Sequence, residues 1–429
     1  MNQARDATRS RSARAFDLAR ALVVALAILV LVLDVARAAN YLVGTVLIGQ
    51  FERGPLLLDY VAQYTAGRML LEGDAGCLYC IETQAAIRDR LLGSAAVESG
   101  YEFIGTPLLA AIATPFAALP YAWAYLGWLV ANLAMLVAAT RLLATSRRAF
   151  WIGLGLSLAF VPTHQALIFG QTSVLTLLAT ALAIRATLAG RTGWAGIFWS
   201  IWSVKPNFLL APLVALVGGR QWRTLIALAL FALLAPLLAL PWLGSSYPLD
   251  YLALLRWASE RAAVGDDHSG VTWLMLFQVL APGLGVAALA PALAASAITL
   301  ATLAWLWRRA TLLGGPTWLL ALAAIPPATL LVSLHAHEYE PVVCLASGWL
   351  LVGYAGERPR LRGAVMTALL LGFVALDLFR PALVPLNFLV AVLACSAFIA
   401  WLVWLMRQER LATQLDLRRH AAENWTSAP

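Results

Sequence analysis

Long apolar runs recur along the whole chain and are separated by short turns that carry most of the basic residues. Many of these runs approach the ~20 residues that a helix needs to cross a bilayer. Because lipid offers backbone N–H and C=O groups no partners, spanning segments are helices or closed barrels. The alternation of a barrel strand is missing from this chain. The pattern therefore predicts an all-α, polytopic integral membrane protein.

The positions of the arginines predict how the chain is oriented. Residues 1–14 contain four arginines and one aspartate, so this tail should be cytoplasmic and the first span should cover 15–35. The membrane domain is predicted to extend over 15–406 in about 10–12 segments, followed by a cytoplasmic tail at 407–429. Both termini then lie inside a multi-pass protein of the cell membrane, and 37–105 becomes the first external loop.

Helical periodicity with charged faces appears at 59–71 and 81–92, which predicts short amphipathic helices lying at the membrane surface. The run at 106–119 is apolar but short, and indicates a partly immersed helix. A second external loop is predicted at about 241–270. Residues 194–217 lie between two basic turns, so they must form a hairpin, with a break at Lys205 and the proline that follows it.

Composition narrows the class of protein further. The chain is 62% hydrophobic and 12% charged, whereas soluble domains carry about 25% charged residues. The net charge of +8 comes largely from arginines in short loops and needs no nucleic acid to explain it. No glycine-rich nucleotide-binding motif is present at a strand–helix turn. We predict no cofactor and no metal site; a need for a divalent cation and the oligomeric state are left open.

Polar residues capable of chemistry fall mainly on the predicted external face. They form four groups along the chain, which are Asp59, Tyr60, Tyr64, Arg68 and Glu72; His164 and Gln165; Asp266, Asp267 and His268; and His335, His337 and Glu338. Polar residues in loops are common without any function. Several such groups at one boundary nevertheless suit acid–base or anion chemistry.

Two of these positions stand out, and each has two interpretations. Asp59 opens a predicted helix, where it could cap the backbone N–H groups or act as a general base toward a hydroxyl nucleophile. Lys205 is the single lysine and lies at membrane depth. It could extend to the interface or bind an anionic group such as a phosphate. His335 and His337 could contact a substrate or phosphate, or a metal if their segment is a loop.

The Cys77–Cys80 pair has CxxC spacing, which leaves free thiols, a local disulfide and a zinc site open.

Short motifs in order along the chain resemble glycosyltransferase family 87, the polyprenyl-phosphate-mannose-dependent α-1,2-mannosyltransferase-like enzymes of the GT-C superfamily. They are DYVAQYTAGR at 59–68, TPLL at 106–109, GQTS at 170–173, KPN at 205–207 and RQWR at 220–223. The chain departs from the family's pattern at Thr106, His268 and Cys80, where members commonly have proline, glutamine and aspartate. These departures leave the identity of the sugar open.

The resemblance implies a GT-C type helical bundle that transfers a hexose, typically mannose, from a polyprenyl-phosphate-sugar donor. The acceptor would be a hydroxyl of a glycolipid or glycan on the external face, and the reaction would invert the anomeric carbon. It implies Asp59 as the catalytic base and Lys205 as a donor-phosphate ligand. We add Arg68, His335 and His337 to the predicted phosphate site, and assign Tyr64, Gln171, His268 and Glu338 to substrate binding.

The main alternative is a transporter or flippase of a lipid-linked intermediate, and a membrane scaffold is a third. Transporters typically contain paired internal repeats with broken helices in both halves. The sequence shows one break, at Lys205-Pro206, and no clear counterpart. The absence of a counterpart favours the enzyme.

Overall fold

The computed structural model describes residues 31–52, 58–93, 101–264, 270–281, 287–356 and 384–426, together with positions 25, 28, 29 and 283. Helices dominate these residues, and the extended pairing found among them is an isolated antiparallel bridge between Gly270 and His337. The predicted all-α class is confirmed.

The α-helices of the described part of the chain are, in order, α1 (Leu31–Glu52), α2 (Tyr60–Glu72), α3 (Ile81–Leu92), α4 (Pro107–Ala117), α5 (Tyr121–Leu143), α6 (Arg147–Ala159), α7 (Val161–Phe169), α8 (Ser173–Leu188), α9 (Thr192–Ser200), α10 (Leu210–Gly218), α11 (Trp222–Leu243), α12 (Tyr247–Val264), α13 (Trp273–Leu280), α14 (Leu289–Leu313), α15 (Thr317–Ala323), α16 (Ile325–Val332), α17 (Cys344–Ala355) and α18 (Val384–Thr426). A π-helical stretch, Tyr41–Leu47, lies within α1.

Five helices of the described residues are long and apolar enough to cross a membrane, namely α1, α5, α11, α14 and the Leu389–Arg410 part of α18. The α6–α7 pair is a sixth candidate, bent by 67° at Phe160. Large apolar side chains cover the outside of α11, including Leu230, Leu233 and Trp242. Lipid is the environment in which such a surface is stable. The chain is thus a multi-pass membrane protein, and the 10–12 segments predicted from the sequence stay a prediction.

The first span is placed differently from the prediction. The sequence assigned it to 15–35 and began the external loop at position 37, whereas α1 continues to Glu52. The mixed polar and charged residues of 37–105 suggested a loop, but the apolar residues 41–48 keep the chain helical. The predicted second external loop likewise contains a helix, α12.

The predicted break at Lys205 is confirmed. After α9 the chain forms two short 3₁₀ segments, Ile201–Val204 and Pro206–Leu209, and Lys205 between them has an extended backbone with φ −129° and ψ 89°. Proline lacks the N–H that would continue a helix and restricts the residue before it. Trp202 anchors this break to α8, because its indole N–H donates to Thr180 Oγ1 at 3.2 Å.

Two apolar cores hold these elements. The larger core joins α8, the α9–α10 hairpin and α14 to α18. The smaller core joins α2, α3, α4 and α5 with the start of α12. Close packing of α2 on α4 requires Gly67, where an added Cβ would lie 2.6 Å from the Ala117 Cβ. The candidate site described below lies where the two cores meet, at the beginning of α8.

Candidate active site

The turn between α7 and α8, residues 170–173, carries the side chains that connect the two cores. Gly170 ends α7 with φ +69°, a left-handed conformation that glycine adopts without strain. An added Cβ at Gly170 would also lie 2.7 Å from the Tyr60 Cβ. The Gly170 carbonyl accepts a hydrogen bond of 2.8 Å from the Trp128 indole. The 170–173 turn is therefore held closely against α2 and α5.

Asp59 is bound to this turn by its side chain. Gln171 is buried, and its amide Nε2 donates to Asp59 Oδ2 at 2.5 Å. Asp59 is the N-cap residue of α2, yet its carboxylate makes no capping hydrogen bond to that helix. The Asp59 side chain therefore does not cap α2, which was one of the two interpretations that the sequence left open. The carboxylate is half-buried and is oriented by a neutral amide.

Tyr101 lies within the electrostatic range of the Asp59 carboxylate. Burial, and then the negative charge of Asp59, raise the pKa of the Tyr101 hydroxyl. The main chain at Tyr101 is held from α3, because Arg88 Nη1 donates to the Tyr101 carbonyl at 2.8 Å. Gln84 further fixes the segment by accepting from the Phe103 N–H at 2.7 Å. No sequence pattern indicates Tyr101, since it is far from Asp59 along the chain.

Lys205 is paired with a carboxylate that the sequence analysis also missed. Its ammonium donates to Glu340 Oε1, and Ser173 Oγ donates to Glu340 Oε2 at 3.0 Å. The Glu340 side chain is 2% exposed and that of Lys205 is 22% exposed. The Tyr339 ring lies 5.3 Å from the ammonium, within the range of a cation–π contact. Lys205 is the open member of this pair, and Glu340 is enclosed beneath it.

Asp59 and Lys205 are connected through the same turn. Gln171 holds Asp59, and Ser173 holds the Glu340 that pairs with Lys205. Gln171 and Ser173 are two positions apart, which limits their Cα separation to about 7 Å. The Asp59 carboxylate and the Lys205–Glu340 pair are thus connected through side chains two positions apart at the beginning of α8.

The predicted histidine group is connected to the loop that carries Lys205. The His335 and His337 rings are in edge-to-face contact, with centroids 4.0 Å apart. Their segment is not helical, and it forms the bridge to Gly270. Asn207 ties it to the lysine loop by donating to Ser333 Oγ at 2.5 Å and to the His335 carbonyl at 3.0 Å.

Glu338 accepts a hydrogen bond from Gln165, a residue of α7. The sequence suggested two separate polar groups, one at 164–165 and one at 335–338. This hydrogen bond joins them directly. Tyr339, the next residue, packs against the His337 ring at 5.3 Å between centroids. Tyr339 thus contacts both the His337 ring and the Lys205 ammonium.

Two predicted site residues are placed elsewhere. Arg68 pairs with Glu72, which also binds Arg90. Arg68 is nine residues from Asp59, which puts it about 13 Å along α2 and half a turn round. Burial acts to raise the pKa of Glu72, but hydrogen bonds from Arg90 and Arg68 outweigh it and keep the pKa below its usual range. Tyr64 is buried, and its hydroxyl donates to the Leu119 carbonyl at 3.1 Å.

His268, together with Asp266 and Asp267, lies outside the described residues, and its predicted role stays a prediction. Among the residues that the structure does describe, no three His, Cys, Asp or Glu side chains are grouped as a metal site.

Cys77 and Cys80 are free thiols. Burial, and then the neighbouring Cys77 thiol, raise the pKa of the Cys80 thiol to about 12.

A further buried pair connects the first span to the bent helix. His164 Nδ1 lies 3.3 Å from Asp34 Oδ2, and both side chains are less than 10% exposed. His164 also contacts the Leu158 carbonyl through Nε2. His164 was predicted at an external turn; it is buried at the bend between α6 and α7, where it contacts Asp34 of α1.

Comparison with protein families gives one match. The model of glycosyltransferase family 87 matches residues 103–334, more than half of the chain. The matched region contains Gln171, Ser173 and Lys205, whereas Asp59 and Glu340 lie outside it. Comparisons with curated proteins and with solved structures gave no significant match.

Proposed function

Since the chain belongs to glycosyltransferase family 87 and is a membrane glycosyltransferase, we propose that it transfers a hexose from a polyprenyl-phosphate-sugar donor to an acceptor hydroxyl. The observation that supports this proposal is that the 170–173 turn binds Asp59 through Gln171 and the Lys205–Glu340 pair through Ser173. One group can take a proton and the other can bind a phosphate. A sugar transfer from a lipid phosphate needs both.

Asp59 acts as the general base. The acceptor hydroxyl gives its proton to the carboxylate while its oxygen forms the new bond to the anomeric carbon, which is thereby inverted. The half-buried position and the hydrogen bond from Gln171 hold the carboxylate in one orientation. A positioned base of this kind contributes about 10²–10⁴-fold to a rate.

Lys205 binds the departing phosphate. The bond between the anomeric carbon and the phosphate oxygen breaks with its electron pair on that oxygen, so negative charge develops on the phosphate. An ammonium facing this position stabilises the transition state more than the ground state. The neighbouring His335 and His337 add hydrogen-bond donors or acceptors at the same side, and Glu338 can accept from a sugar hydroxyl.

The membrane suits this reaction. The donor carries an apolar polyprenyl chain, so it reaches the site from the lipid, and α11 presents an apolar surface to that lipid. We place catalysis on the external face, with a glycolipid or glycan acceptor, and mannose is the sugar to test first. The phosphate is already the leaving group, so the mechanism requires no nucleotide.

The test is sugar transfer by the Asp59→Asn variant, assayed in membranes with a polyprenyl-phosphate-hexose donor. We expect the rate to fall by about 10²–10⁴-fold, while the amount of folded protein is unchanged. Asp89→Asn is the matched control, because Asp89 is an exposed carboxylate of the neighbouring α3. A near-normal rate in Asp59→Asn would refute the mechanism. Movement of the lipid donor without transfer by the wild-type protein would favour a transporter instead.

A further inference from the structure

Both carboxylate oxygens of Glu340 have a partner in the structure, so the carboxylate is not accessible to a substrate. Lys205 occupies Oε1 and the Ser173 hydroxyl occupies Oε2. The side chain is 2% exposed, against 22% for Lys205. A ligand that enters the site can therefore reach the ammonium while the carboxylate stays beneath it. Whatever Glu340 does for a reaction, it does through Lys205.

The pair has an electrostatic consequence for any phosphate that binds there. A buried carboxylate is stable when its charge is paired and its remaining oxygen is hydrogen-bonded. Glu340 meets both conditions only while the ammonium remains close to it. A phosphate that binds Lys205 must therefore compete with Glu340 for the same three N–H donors.

This competition changes during the proposed reaction. The phosphate of a polyprenyl-phosphate-sugar is a diester with one negative charge. When the bond to the sugar breaks, the product is a monoester, which carries about −1.5 to −2 charge near neutral pH. An isolated ammonium would thus hold the product more tightly than the donor, and release of the product would become slow.

We propose that Glu340 is a positioning residue that reclaims the Lys205 ammonium after transfer and so releases the polyprenyl phosphate product. This inference rests on the proposed function. It assigns Ser173 the supporting role of keeping the carboxylate in place below the lysine. It also explains why a nearly enclosed acid lies next to the lysine of a site that must bind a negatively charged lipid.

The experiment measures equilibrium binding of farnesyl phosphate, a short isoprenyl phosphate monoester, to the full-length purified protein in detergent. In Glu340→Gln the amide keeps the size of the side chain and an acceptor for Ser173 but carries no charge. We expect the variant to bind farnesyl phosphate about tenfold more tightly than the wild type. Glu82→Gln, which removes an exposed carboxylate of α3, is the matched control for net charge and should bind like the wild type.

Steady-state transfer provides a second measurement. We expect Glu340→Gln to have a lower kcat, an unraised KM for the donor and stronger inhibition by added farnesyl phosphate. A role in folding alone would reduce the yield of protein without splitting kcat from KM. Unchanged or weaker binding of farnesyl phosphate by Glu340→Gln would overturn the proposal.

Two further variants keep the result interpretable. If Glu340→Gln does not fold, Glu340→Asp retains the charge and draws it back from the ammonium by one methylene, so binding should again be tighter than in the wild type. The wild-type protein could bind farnesyl phosphate through Lys205, so that Lys205→Met loses the binding, and yet transfer no sugar. That result would refute the proposed function, and the competition between Glu340 and the phosphate for Lys205 would still be measured. Binding that does not depend on Lys205 would refute the inference itself.

Discussion

Asp59 and Glu340 are two carboxylates held by side chains of the same 170–173 turn, and their surroundings differ in charge and in exposure. Asp59 is half-buried and receives its hydrogen bond from the neutral Gln171 amide. Glu340 is almost fully buried and is bound by an ammonium and a hydroxyl. The Asp59 carboxylate is partly open to an approaching hydroxyl, whereas the Glu340 carboxylate is enclosed beneath its cation. The two acids therefore suit different tasks.

The largest effect is expected from breaking the buried pair. Lys205→Met leaves the Glu340 carboxylate without its cation, which costs about 3–5 kcal/mol of stability for a buried pair. Thermal unfolding in detergent measures this loss. The double variant Lys205→Met, Glu340→Leu should recover most of the stability and still fail to transfer sugar. Recovery of transfer by the double variant would show that the ammonium is not needed for the reaction.

A smaller effect is expected at the turn that carries both acids. Gly170→Ala places a side chain at φ +69° and 2.7 Å from the Tyr60 Cβ. Backbone strain of this kind costs about 1–3 kcal/mol, and a shift of Gln171 should lower transfer as well. Gly190→Ala is the control, because Gly190 also has φ +69° but has no atom within 4 Å of an added Cβ. Equal losses of transfer in both variants would argue against a role for the close approach to Tyr60.

Gln171→Leu tests whether the Gln171 amide orients the Asp59 carboxylate for the reaction. This variant removes the amide that orients the carboxylate and keeps an apolar side chain of similar size. We expect kcat to fall by about tenfold, from the lost orientation, with a stability change of no more than about 1.5 kcal/mol. Steady-state rates and thermal unfolding measured on the same preparation separate the two. A loss of stability with kcat unchanged would make Gln171 a packing residue only.

The smallest effect is expected at the surface cluster of Arg68, Glu72 and Arg90. Glu72→Gln should cost no more than about 1 kcal/mol, because exposed ion pairs are screened by water and salt. The pKa of Glu72 is lowered in the folded protein, so the wild-type advantage is present above the unfolded value and is lost as the pH falls through the folded value. Unfolding measured from neutral to acidic pH should show the two proteins converge. An advantage that grows on acidification would contradict this assignment.

Much of the architecture could be predicted from local patterns. The helix Tyr121–Leu143 follows from one uninterrupted apolar run, and the break at Lys205 follows from the proline after it. The amphipathic helices of the first loop were also expected. The boundary of the first helix differs from the prediction, because the polar and charged residues of 37–105 indicated a loop, whereas the apolar residues 41–48 continue α1 to Glu52.

The sequence by itself determined most of the helical segments, where the hairpin breaks and that Asp59 and Lys205 are the residues to examine. Those features depend on side-chain periodicity and on the chemistry of single residues, which act over a few positions. Only the tertiary structure decided which side chains Asp59 and Lys205 contact. Gln171 meets Asp59 across 112 positions and Glu340 meets Lys205 across 135. Such contacts depend on how helices from distant parts of the chain pack together, which no local pattern specifies.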